Sequence, residues 1–131
     1  MKYMLDTNTC IFMMKHVTKV IRNFNVKRND GISISSITLA ELEYGICKSA
    51  AYEKNREALL AFLALVDIVS FDDGAGIQYG KIRADLERKG KVIGQMDMLI
   101  AAHAKSEGSI IVSHNTDEFG RVDGLVVEDW S

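Results

Sequence analysis

The chain has 131 residues, 47% of them hydrophobic and 26% charged, with a formal net charge of −2 and no proline. That length suits one domain, residues 1–131, with a full hydrophobic core, and the even composition excludes low-complexity, linker-like and solenoid-repeat chains. The mild acidity argues against a protein that coats nucleic acid, but leaves room for an enzyme that acts on it through an acidic site and local basic residues. The longest apolar run, residues 58–66, is too short to span a membrane, and Asp6 interrupts the N-terminus before a signal-peptide core can form. The expected compartment is therefore the cytoplasm.

In chain order, Tyr3, Met4 and Leu5 read as a short buried strand that stops on Asp6, ahead of the small polar residues Thr7, Asn8 and Thr9. Residues 10–14 and 17–24 carry helical apolar spacing. A polar turn at 27–30 ends at Gly31, and residues 32–35 alternate with period two as a second strand. Residues 38–48 and 53–65 are the next helices, the latter with a broad apolar face. A third strand follows at 68–71. A long helix over 75–89 is closed by Gly90 as its C-cap. Residues 96–105 form a helix apolar nearly all round, hence buried, and 109–113 and 125–127 read as the last strands. Strands separated by helices predict an α/β fold in three layers, with a central, mostly parallel sheet of four to five strands covered on both faces. Cys10 and Cys47 lack metal spacing and are expected to be free, buried thiols.

In open parallel sheets the chemistry sits beyond the carboxyl ends of the strands. Four polar positions fall there: Asp6 after the first strand, Glu41 early in the helix after the second, Asp97 at the start of the buried helix, and Asn115 after the strand at 109–113. Each has an ordinary reading. Asp6 is a good helix N-cap, Thr38-x-x-Glu41 has capping-box spacing, Asp97 complements a helix dipole, and Asn115 is a common turn residue. Capping alone does not explain why carboxylates recur at one edge. Acids gathered within a few ångströms repel, and a divalent cation relieves them. Hard Mg²⁺ or Mn²⁺ prefers oxygen ligands and keeps several waters. Such a centre polarises a phosphoryl oxygen and activates a bound water, which is the chemistry of phosphodiester hydrolysis.

Three blocks carry a family resemblance: Met4-Leu5-Asp6-Thr7-Asn8, residues 35–42 around Glu41, and residues 94–104 around Asp97. Together with 113–119 and Glu128-Asp129-Trp130 they resemble the PIN domain, and more closely the VapC toxins of toxin–antitoxin pairs, over nearly the whole chain. The resemblance implies a Mg²⁺- or Mn²⁺-dependent endoribonuclease acting on structured RNA such as tRNA or rRNA. It also implies a homodimer, assembled with and silenced by a VapB-like antitoxin. By position, Asp6, Glu41 and Asp97 match the catalytic acidic triad, with Asp6 and Asp97 as metal ligands. Asn115 stands where many members have a fourth acid, leaving its amide oxygen, Asp117 or Glu118 as substitutes. Gln95 replaces a frequent proline beside Asp97. Thr7 and Asn8 are placed to orient Asp6 or a metal-bound water.

Residues 81–91 hold five of the 16 Lys and Arg residues. Arg83, Arg88, Lys89 and Lys91 are the candidates for phosphate contacts, Arg83 first because it could fold back toward Asp97. His103, among alanines on a buried helix, reads as a core histidine, and His114 has no nucleophile to serve. Met13 and Met14 suit either the core or an adaptable partner surface. A phosphatase with an aspartyl nucleophile needs a second Asp where Asn8 stands, which discounts it. A non-catalytic RNA-binding or protein-interaction module predicts binding without turnover. No Gly-rich phosphate loop, dinucleotide fingerprint or nucleophile elbow is present.

Overall fold

The expected alternation of strand and helix is realised in a computed structural model, which describes residues 2–131. Strands β1 (Tyr3–Leu5), β2 (Ile32–Ser35), β3 (Asp67–Val69), β4 (Ile110–Val112) and β5 (Val127–Glu128) form one sheet in the order β3-β2-β1-β4-β5. Every neighbouring pair is parallel, and central β1 sets Leu5 between Ile34 of β2 and Val112 of β4. Parallel strands need crossovers, and the helices provide them. Helices α1 (Thr7–Met14) and α2 (Thr18–Lys27) lead to β2, and α3 (Ser36–Cys47) and α4 (Tyr52–Leu63) to β3. Helices α5 (Asp73–Lys89) and α6 (Gln95–Ser106) lead to β4, and α7 (Thr116–Phe119) to β5.

Successive strand residues face opposite sides of the sheet, which divides the core in two. Tyr3, Leu5, Ile34 and Val112 pack with Phe24, Leu59 and Phe62 on one side. Met4 and Ile111 pack with Leu86, Ile100 and Phe119 on the other. Each such side chain, withdrawn from water, contributes about 1.5–3 kcal/mol. Trp130 closes the first core over Tyr3, ring centres 5.4 Å apart, while its indole N–H donates to Glu128 at 3.0 Å.

Local chemistry explains where the elements depart from expectation. Helix α3 begins at Ser36 rather than at 38 because the Ser35 hydroxyl caps it, accepting from the Ile37 N–H at 3.0 Å. The last strand starts at Val127, two residues beyond its expected start at 125. The 3-10 turn Arg28–Asp30 and α7 are too short to leave a periodic signal. Gly90 ends α5 as expected, with φ 66, a left-handed conformation that favours glycine. Cover on both faces thins at β3, an edge strand whose Ile68 is 46% exposed. Cys10 is buried and free, but Cys47 is free and exposed: it is the last residue of α3 and faces solvent, so the expectation of two buried thiols is corrected. Met13 is core and Met14 half-buried against it. Among the described residues no helix is long and apolar enough to cross a membrane.

Candidate active site

The strand order reverses direction at β1, so the crevice beyond the carboxyl ends of β1 and β4 lies at the topological switch point. The two strand ends are tied together there. The Asp6 N–H and the Thr9 hydroxyl both donate to the Val112 carbonyl, each at 3.0 Å. Asp6 is 3% exposed, and its Oδ1 accepts the Thr9 N–H at 2.9 Å, which caps α1. The capping role is therefore real, and it holds a buried carboxylate at the edge of the crevice.

Glu41 is not part of a capping box. Thr38 lies inside α3, buried and without a partner for its hydroxyl, because the cap is Ser35. Glu41 Oε1 instead accepts a short hydrogen bond, 2.6 Å, from the Thr7 hydroxyl across 34 residues of sequence. Thr7 thus orients Glu41 rather than Asp6, and Asn8 is exposed beside it.

Asp97 sits half-buried in the first turn of α6. Its pKa is raised from 3.8 to about 6, first by burial, then by the facing carboxyl of Glu118, then by the charges of Glu118, Asp6 and Glu41. No cation figures among those causes. Carboxyl groups from β1's end, α3, α6 and α7 therefore share one neighbourhood. Two facing carboxyls need a proton or a cation between them. Among the described residues, no three Asp, Glu, His or Cys side chains form a ready-made ligand set. A hard dication can be held by one or two carboxylates and otherwise by water.

The other expected site residues divide clearly. Glu118 joins the acids. Asp117, on the same short helix, points away with its side chain 96% exposed, 3.9 Å from Arg121. Asn115 stands half-buried before α7, its N–H donating to the Ser113 hydroxyl at 2.8 Å. Arg83 does not fold back to Asp97: it lies along α5, held by the Tyr79 hydroxyl at 3.0 Å and by Glu87 at 3.4 Å. Arg88 is 3.6 Å from Asp85, and Lys89 bridges Asp85 at 2.9 Å and Asp123 at 2.8 Å. Lys89, Lys91 and Arg121 border an open depression of about 760 Å³, shared with Asp117 and Asp123.

His103 is buried in the core, as expected. Its Nδ1 is 2.7 Å from the Ser35 hydroxyl, its Nε2 has no partner, and its ring meets Phe71 edge-on. Desolvation lowers its pKa, which keeps it neutral. His114 is exposed and bonds the tail through Asp129 and Ser131. Sequence reading passed over Tyr44. The available signal was its spacing of three from Glu41, which puts both on one face of α3.

Residues 3–125 match the PIN domain family. The tRNA(fMet)-specific endonuclease VapC of Shigella flexneri is 46% identical, over 100% of this chain and 99% of that protein. Ribonuclease VapC2 of Rickettsia felis is 42% identical, over 99% of this chain and 98% of that protein. Among solved structures, VapBC2 from Rickettsia felis bound to a promoter DNA fragment matches with TM-score 0.96 and 41% identity, covering 100% of both chains. DNA-bound VapBC from Salmonella typhimurium matches with TM-score 0.94 and 43% identity, covering 100% of this chain and 99% of that one. An acid-lined crevice at the switch point of a parallel sheet and these full-length matches lead to one assignment: the chain belongs to the PIN-domain family, among its VapC ribonucleases.

Proposed function

We propose that this one-domain protein, residues 1–131, is a toxin that cuts phosphodiester bonds within structured RNA, tRNA or rRNA, using Mg²⁺, with Mn²⁺ able to substitute. The observation that carries the reading is the meeting of acids from distant segments at the sheet's switch point: Asp6, buried at the end of β1, Glu41, held by Thr7, and half-buried Asp97 with Glu118 facing it. Asp6, Glu41 and Asp97 act at the scissile phosphate, and Asp6 and Asp97 would hold the metal. A dication bound there supplies Lewis acidity toward a phosphoryl oxygen and lowers the pKa of a bound water. The chain's own groups then do the rest. Thr7 holds Glu41 by its 2.6 Å bond, so that one carboxylate oxygen stays aimed while the other is free to accept a proton from the attacking water. The Thr9 N–H fixes Asp6, and Glu118 occupies the fourth acidic place that Asn115 leaves. Asn115 and Asp117 have lesser parts.

The same reading places the protein in the cytoplasm as a homodimer, bound and silenced by a VapB-like antitoxin in a higher assembly. Support comes from the solved relatives, which are VapBC complexes. The test is cutting of bulk tRNA and rRNA by antitoxin-free protein with Mg²⁺, Mn²⁺ or EDTA. Metal-dependent cutting lost in Asp6→Asn and Asp97→Asn establishes the reading. Intact RNA in every lane overturns it.

A further inference from the structure

A groove of about 520 Å³ runs from the acidic crevice along α3. Its lining includes Glu41 and two neighbours of the acids: Thr7, which donates to Glu41, and Met96, which precedes Asp97. Ile11, Tyr44, Gly45 and Lys48 line it as well. The groove exceeds the roughly 300 Å³ at which small-molecule sites begin. Three features distinguish it from an ordinary surface hollow. Tyr44 is 65% exposed and Met96 48%, so two large side chains stand in water beside the acids. The Lys48 ammonium lies over the Tyr44 ring, 4.8 Å from its centre, which places a positive charge in the groove together with Glu41. Gly45 leaves the floor open, since a Cβ built there meets nothing within 4 Å.

We propose that Tyr44 is a stacking platform for one unpaired base of the RNA substrate, next to the scissile phosphate. The inference rests on the ribonuclease reading and adds the position of the base. Glu41, Tyr44 and Lys48 follow at i, i+3 and i+7 on one face of α3, so the acid, ring and cation line up along the helix. An RNA strand offers matching groups: a phosphate at the acids, its attached base on an aromatic ring, and the next phosphate at the ammonium. Proteins that cut or read RNA outside its helical stems hold splayed bases on aromatic faces, because every base has a π-surface and the A-form grooves admit few side chains. Stacking of this kind tolerates any base, so Tyr44 contributes affinity and position and leaves sequence choice to other contacts.

Three variants and one probe test it. Tyr44→Ala is expected to raise KM for bulk tRNA about tenfold or more, with Tyr44→Phe within about twofold of the parent. Gly45→Leu fills the groove from its open floor and is expected to cut as poorly as Tyr44→Ala without melting earlier. The probe is a single-stranded oligonucleotide carrying 2-aminopurine, added in the Asp97→Asn background, where cutting is off. Its fluorescence should fall on binding when position 44 keeps its aromatic ring, as in the parent and in Tyr44→Phe, and persist in Tyr44→Ala. Cutting by Tyr44→Ala and Gly45→Leu at the parental KM overturns the platform and leaves the ribonuclease reading standing. A parent that cuts no RNA overturns both, and the two failures are told apart by that lane alone.

Discussion

Two charged regions of this molecule differ in sequence and in kind. The stretch 81–91 is dense in Lys and Arg, yet in the fold three of its five cations are paired: Arg83 with Glu87, Arg88 with Asp85, Lys89 with Asp85 and Asp123. The switch-point crevice draws on single acids scattered from Asp6 to Glu118, and there like charges meet. Exposed ion pairs hold little energy, so the first region is a solvated surface with spare capacity for phosphate. The second concentrates unfavourable charge, which a protein tolerates where a ligand relieves it. Charge density along a chain is therefore a poor guide to a site. Charge left unbalanced after folding is a better one.

That contrast can be broken most sharply at Asp97. Replacing it by Asn should lower RNA cutting by at least about 10³-fold in initial rate, while the metal-free protein melts no earlier, because a mutual repulsion is removed. A variant that cuts normally would return Asp97 to the role of a helix-dipole partner. Glu118 and Asp117 then separate the two regions on one short helix. Glu118→Gln should weaken Mg²⁺ binding about 10- to 100-fold by calorimetry, whereas Asp117→Asn should leave it unchanged.

The pH dependence has a definite sign. Asp97 binds its proton more tightly folded, at about 6, than in the unfolded chain near 3.8. The folded state is thus favoured below pH 4, loses that advantage as pH climbs through about 6, and is flat above. Metal-free melting temperature should fall across this window. Added Mg²⁺ should raise it more at pH 7.5 than at pH 5, since the cation replaces the proton. An equal metal effect at both pH values would detach Asp97 from the metal. The smallest effect belongs to the basic region. Lys91→Ala should weaken RNA binding evenly across sequences and reduce the salt slope by about 1, and Lys89→Ala should leave the melting temperature unmoved.

Much of the fold was legible residue by residue. Period-two alternation at 32–35, the all-round apolar helix near 96–105 and Gly90 as a stop are local signals, and the structure follows each. Element ends were less legible where a cap decides them, as Ser35 does for α3. Elements of three or four residues, such as α7, are shorter than the period that would reveal them.

The site divides the same way. The sequence by itself determined that acids follow strand ends, because strand, turn and helix are written in neighbouring residues. It did not contain the bond from Thr7 to Glu41, the arrival of Glu118 rather than Asp117, or the pairing that keeps Arg83 on its own helix. Those depend on how distant segments cross and on which face a short helix turns inward. The tertiary structure alone decided them, because Coulomb and hydrogen-bond energies act over a few ångströms of space, whatever the separation along the chain.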